Sequence, residues 1–105
     1  MANYLLVYKG GGMGATPEEQ QQAMAAWGQW FGGLGQAIVD GGNPFSGQAC
    51  SIAANGSVSA GSGSGLTGYS ILKADDLNAA TSMAKGCPIL TSGGSIEVYE
   101  TIQVM

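Results

Sequence analysis

A five-residue run near the N-terminus, Tyr4-Leu5-Leu6-Val7-Tyr8, narrows the possible folds sharply. Side chains along a strand alternate between two faces, and this run is apolar on both. Gly68-Tyr69-Ser70-Ile71-Leu72-Lys73 reads as a second strand of the same kind, with Tyr69, Ile71 and Leu72 placing apolar groups on both sides. Strands like these need cover above and below. The rest of the chain supplies two helices, which can cover one face of a sheet. The other face is expected to pack on a partner sheet, which predicts a two-fold homodimer.

The helices are written in local signals. Thr16-Pro17-Glu18-Glu19 reads as a helix start, with Thr16 as cap, Pro17 at the first helical position and Glu19 completing a capping box. Ala23, Trp27, Trp30, Phe31 and Leu34 follow at three- and four-residue spacings and form one apolar stripe, ended by Gly35. Asp75 and Asp76 open the second helix, with Leu77, Ala80, Met83 and Ala84 inward, and Gly86 and Pro88 end it. Ala37-Ile38-Val39 is a short strand closed by Asp40-Gly41-Gly42-Asn43-Pro44. Cys50–Ala54 and Ser57–Ala60 flank Asn55-Gly56, a two-residue hairpin signal. The last strand is expected from Ser95 to Val104, with Ile96, Val98, Ile102 and Val104 on one face. The order is β-α-β-(hairpin)-β-α-β, an α+β fold of ferredoxin-like type with an antiparallel sheet. With 105 residues the chain has room for one domain, 1–105.

Composition removes several functions. There are three Lys, no Arg and no His, and the net charge is −4, so the basic footprint that nucleic acid requires is missing. No imidazole base, His-type zinc site or His-paired nucleophile can be assembled. No metal or cofactor is expected. The start Met1-Ala2-Asn3-Tyr4 lacks a basic signal-peptide region, and no apolar run is long enough to span a membrane. A cytoplasmic location with no membrane partner is the expectation. Cys50 and Cys87 are both read as reduced, buried thiols.

Gly10-Gly11-Gly12-Met13-Gly14-Ala15 formally satisfies G-x-G-x-x-A between a strand and a helix. Thr16 and Pro17 nevertheless start the helix after the glycines, and Asp40 falls 28 positions beyond Gly12, late for a ribose contact. The segment is read as a glycine loop able to act as a lid. Gly63-Ser64-Gly65-Leu66-Thr67-Gly68 leads into a strand and offers no helix N-terminus to a phosphate. Trp27 and Trp30, with Phe31 and Met24, read as core packing of the first helix or as the wall of an apolar pocket. Asp40 ends a strand beside glycines, where a carboxylate can face a cleft. Glu100 interrupts an apolar face. Either it points inward, with a raised pKa suited to acid–base work, or a twist or a sheet-end hydrogen bond turns it outward.

Taken together, Tyr4–Tyr8, Gly41-Gly42-Asn43-Pro44-Phe45, Leu66–Leu72, Gly86-Cys87-Pro88 and Gly93-Gly94-Ser95-Ile96-Glu97-Val98 make the chain resemble the YCII-related (DGPF-type) domain family along its whole length. The resemblance implies a dimeric α+β barrel, two ferredoxin-like sheets packed face to face. That family is similar to small-molecule enzymes such as muconolactone isomerases, and most members have no assigned activity. Members with an active site use a His on the first helix and an Asp near the end of the second strand. This chain has Met24-Ala25-Ala26 where the His is expected, Asp40 where the acid is expected, and Ser62-Gly63-Ser64-Gly65 in place of the DGPF signature. The expectation is a homodimer that binds a small apolar or weakly polar molecule without a His–Asp site. Tyr8, Trp27, Trp30, Asn43, Tyr69 and Glu100 are its candidate pocket residues. The alternatives are a metal-free isomerase, lactone dehalogenase or monooxygenase with Asp40 as base and Tyr8, Asn43 or Tyr69 orienting substrate, and a structural or regulatory interaction module.

Overall fold

A computed structural model describes residues 1–12 and 14–104; Met13 of the glycine loop lies outside the described residues. The protein is α+β. In chain order its elements are β1 (Ala2–Lys9), α1 (Pro17–Leu34), β2 (Ile38–Asp40), β3 (Cys50–Ile52), β4 (Val58–Ala60), β5 (Leu66–Ala74), α2 (Leu77–Ala84) and β6 (Ser95–Glu100), with a 3₁₀ turn at Pro88–Thr91. Four strands form one antiparallel sheet in the order β2-β5-β1-β6, while β3 and β4 pair only with each other.

Both helices begin where their caps dictate. The Thr16 hydroxyl accepts the Glu19 N–H at 3.1 Å, and the Glu19 carboxylate reaches back to the Ala15 N–H at 2.7 Å, one residue beyond the cap N–H of a standard capping box. At α2, Asp76 Oδ1 accepts the Ala79 N–H at 2.7 Å. Trp30 is buried on α1, with Trp27, Phe31 and Leu34 half-buried against the core. Met24 instead is 64% exposed, since its position on α1 turns it away from the sheet. On α2 the inward residues are Ala80 and Ala84; Leu77, the first helical residue, is exposed on the flank of that stripe.

The sheet has one covered face. Tyr4, Leu6 and Tyr8 of β1, with Ser70, Leu72 and Ala74 of β5, are buried beneath the helices. Leu5, Val7, Tyr69 and Ile71 point the other way and are only half-buried, and neither helix lies over them. In register, Leu5 lies between Ile71 and Tyr99, and Val7 between Tyr69 and Glu97. The slab that results measures 44 × 39 × 18 Å, the thickness of two layers.

Two strand readings need correction. β6 stops at Glu100, and Ile102 and Val104 are 79% and 76% exposed. The partner strand is running out there: Tyr4 pairs with Glu100, the Thr101 N–H still bonds the Asn3 carbonyl, Ile102 falls opposite Ala2, the first residue of β1, and Val104 runs past its end. The hairpin loop is three residues, Ala54-Asn55-Gly56, rather than the two-residue Asn-Gly turn. Ala53 N–H bonds to Ser57 C=O and Gly56 N–H to Ala53 C=O. Gly56 alone has positive φ (+90°) in this loop, whereas the two-residue form would need it at both central positions. Asn55 instead accepts the Ser57 N–H through its side chain at 3.0 Å.

Candidate functional site

The sequence-predicted residues fall into separate places. Tyr8, Trp27 and Trp30 form one stack under α1: Tyr8 meets Trp27 edge-on at 5.2 Å, and Trp27 meets Trp30 edge-on at 5.7 Å. Trp30 donates its indole N–H to the Met83 carbonyl at 2.9 Å, which ties α1 to the end of α2. Asn43 is exposed, and Tyr69 lies on the open face of the sheet, stacked on Phe45 at 6.1 Å. Asp40 is exposed and folds back on its own turn, accepting the Gly42 N–H at 2.8 Å.

Glu100 sits at the rim. It is exposed, yet its carboxylate accepts the hydroxyl proton of fully buried Tyr4 at 2.8 Å, a sheet-end hydrogen bond. That bond to a carboxylate, together with burial, pushes the Tyr4 hydroxyl up to about 12.

Beneath the stack lies a small buried polar cluster. Tyr8 donates to Ser70 Oγ at 2.6 Å, and Ser70 donates to the Gly41 carbonyl at 2.7 Å, so β1, β5 and the turn that follows β2 are joined by side-chain bonds. The Cys87 thiol is buried in the same core as the Tyr8 hydroxyl. Burial pushes the Cys87 thiol up to about 11, although the Ile89 backbone and the Tyr8 hydroxyl act in the opposite direction. Burial raises Tyr8 as well, partly offset by its bond to Ser70. Cys50 is exposed, contrary to the expectation of a buried thiol, because β3 belongs to a two-stranded hairpin whose strands are exposed throughout.

The two buried acids Tyr8 and Cys87 set a pH dependence. Each keeps its proton in the fold at a pH where the unfolded chain has lost it, so the unfolded state binds fewer protons and stability falls with rising pH. The contribution is complete below about pH 9, the ordinary thiol value, and is lost as pH climbs through about 11. A fall in Tm of about 5 °C or more between pH 8.5 and 10.5 is expected by circular dichroism. Cys87→Ala should lower the starting Tm but flatten this slope. A wild-type Tm that holds constant across the range would contradict the assignment.

A cleft of about 330 Å³ opens beside the stack, at the low end of the range for ligand sites. It is lined by the Trp27 side of α1, with Ala23 and Ala26, by the glycine loop at Gly12 and Gly14, and by Pro88 and Thr91 of the 3₁₀ turn with Ser92 after it. Polar groups come from Glu19, Gln22, Thr91 and Ser92. Ser92 Oγ lies 3.5 Å from the Gly12 N–H and donates to the Ile89 carbonyl at 3.0 Å, which pins the turn against the loop. A second, wider depression of about 580 Å³ lies at the base of the β3–β4 hairpin, between Pro44–Ala49 and Gly61–Leu66, with no charged side chain in its lining.

Comparison with protein-family models, with curated proteins and with solved structures finds no match to this chain. The site must be read from its own geometry. Of the predicted residues only Trp27 lines the first cleft, and Asp40 lines neither cleft. Glu19, Gln22, Thr91 and Ser92 are not among the residues that the sequence points to. Glu19 shows there only as a helix cap, and nothing local in Thr91-Ser92 announces that their turn packs against α1. Among the described residues no group of three or more Cys, Asp or Glu is placed to hold a metal ion, and no helix is long and apolar enough to cross a membrane.

Proposed function

We propose that this protein is a small-molecule-binding homodimer of the YCII-related (DGPF-type) kind, with a ligand site that works without a His–Asp pair. The observation that carries the binding reading is the Trp27 cleft. It joins an indole wall to one carboxylate, one amide and two hydroxyls, with no lysine among its lining residues. Such a lining favours a small, uncharged or weakly polar molecule that lays an apolar body on Trp27 and offers donors to Glu19 and Gln22. An anion finds no cationic partner there.

The strand order β2-β5-β1-β6, antiparallel throughout and with both helices on one face, supports a ferredoxin-like arrangement. The half-buried apolar row Leu5, Val7, Tyr69 and Ile71 supports sheet-to-sheet pairing of two copies as in a dimeric α+β barrel. Asp40, bonded to its own turn and outside the lining of either cleft, gives the catalytic alternative no geometric support.

Native mass spectrometry of the protein taken from its source extract tests the binding reading. The wild type is expected to carry a small molecule that is released on denaturation. Trp27→Ala should weaken retention at least about tenfold, equivalent to about 1.4 kcal/mol, while Trp27→Phe retains most of it because an aromatic wall remains. Equal ligand occupancy in the wild type and Trp27→Ala, or no bound molecule in either, would overturn the reading.

A further inference from the structure

The β3–β4 hairpin stands off the body as an arm. Every residue from Asn43 to Gly65 is exposed, and neither arm strand joins the main sheet. Its pairing makes it two-sided: Cys50 opposite Ala60 and Ile52 opposite Val58 form one face, while Ser51 opposite Ser59 marks the other. The apolar side is bare, with Ile52 70% and Val58 66% exposed. An isolated two-stranded ribbon is marginally stable in water. Free strand edges are ordinarily guarded by charge, yet no Asp, Glu, Lys or Arg occurs between Asp40 and Lys73.

The same chain carries a second apolar surface that its helices do not cover, the half-buried outer sheet face of Leu5, Val7, Tyr69 and Ile71. Surface area shows how much cover is missing. The chain exposes 7031 Å², whereas a compact monomer of this mass exposes about 5,400 Å². The excess, about 1,600 Å² per chain, exceeds the roughly 800 Å² that each partner contributes to a standard interface. The Cα radius of gyration is likewise 15.2 Å, against about 13 Å for a compact chain of this length.

We propose that, beside the sheet-to-sheet contact, the arm clasps the second copy of this chain, laying its Cys50-Ile52-Val58-Ala60 face on the margin of that copy's outer sheet face, where Tyr99 of the edge strand is 50% exposed. The inference rests on the dimer reading above and specifies what holds the dimer together. A second copy is the occupant that the surfaces select. Two complementary apolar patches on one chain cover each other reciprocally under a two-fold axis. The arm has no basic residue to draw it to an anionic membrane surface or a nucleic acid.

Sedimentation velocity over a dilution series, on the full chain, tests this with three proteins. Wild type is expected at twice 10.5 kDa. The double variant Ile52→Glu/Val58→Glu, altered only at positions exposed within one chain, should keep its far-ultraviolet circular dichroism and dimerise at least tenfold more weakly. Ile52→Val should stay dimeric. In the wild-type dimer the Cys50 thiol, on the contact face, should react at least tenfold more slowly with a thiol reagent than in the double variant. A double variant as dimeric as wild type, or a Cys50 thiol equally reactive in both, overturns the arm contact and leaves sheet-to-sheet pairing standing. A wild-type monomer, including one that binds only a different protein or a lipid vesicle, overturns both.

Discussion

Gly42→Ala is expected to cost at least about 3 kcal/mol, enough to lower Tm by about 12 °C or more in a domain of this size. Two independent effects add. The residue sits at φ +71°, a conformation that costs an L side chain about 1–2 kcal/mol. A Cβ there would also overlap the carbonyl oxygen of Tyr69, which is backbone of the central strand β5 and cannot swing aside. Gly42 follows the bulge where β2 leaves the sheet, between the Asp40 bond to its N–H and the Gly41 carbonyl that accepts Ser70. Displacing it therefore disturbs the buried Tyr8–Ser70 pair as well. Gly28→Ala provides the opposite sign: it lies within α1, an added methyl would meet nothing within 4 Å, and the change should stabilise by about 0.5–1 kcal/mol. Urea denaturation of both variants checks the pair. A Gly42→Ala protein within about 1 kcal/mol of wild type would show that the close approach to β5 relaxes freely.

The contrast between these two glycines illustrates what can be read from a sequence of this kind. Both are single letters in a chain with 19 glycines, and only the tertiary path distinguishes them. Local chemistry is legible: Thr16-Pro17 and Asp76 start the helices, Gly35 at φ +56° ends α1, and the double-faced apolar runs are the central strands β1 and β5. What depends on a distant partner is not. The alternation of β6 continues to Val104, but its ladder on β1 closes at Glu100, opposite Tyr4, and Val104 lies past the end of β1. Cys50 has the apolar neighbours of a buried thiol, but the hairpin carrying it projects from the sheet. The candidate site behaves the same way. Trp27 is identifiable from its helical stripe, whereas Thr91 and Ser92 enter the cleft only because the 3₁₀ turn after α2 folds against α1. Asp40 has the glycine neighbours of a cleft residue, and those glycines instead let it cap its own turn.

Trp30→Ala is expected to destabilise the protein by about 3–5 kcal/mol, the range for truncating a buried indole. Trp30 is the one α1 side chain buried in the core, and it acts as the bolt between the two helices. Its ring lies 5.1 Å from Phe31 and 5.7 Å from Trp27, and its indole N–H bonds the Met83 carbonyl at the C-terminal end of α2. Gly86 approaches the same ring so closely that an added methyl would meet it at 3.3 Å. Removing the side chain thus opens a void under α1 and frees the end of α2 in one step. Trp30→Phe separates the two contributions. It keeps most of the ring packing and loses only the hydrogen bond, for about 1–2 kcal/mol. Guanidinium denaturation followed by circular dichroism reads both, and a Trp30→Ala loss no larger than that of Trp30→Phe would reject the void as the main cause. The two variants also bear on the cleft. Trp30 does not line it, but Trp27 does and leans on Trp30. Ligand retention should therefore fall in Trp30→Ala even under conditions where that variant is folded, and persist in Trp30→Phe, because the indole wall of the site is held upright by a neighbour that the ligand never touches.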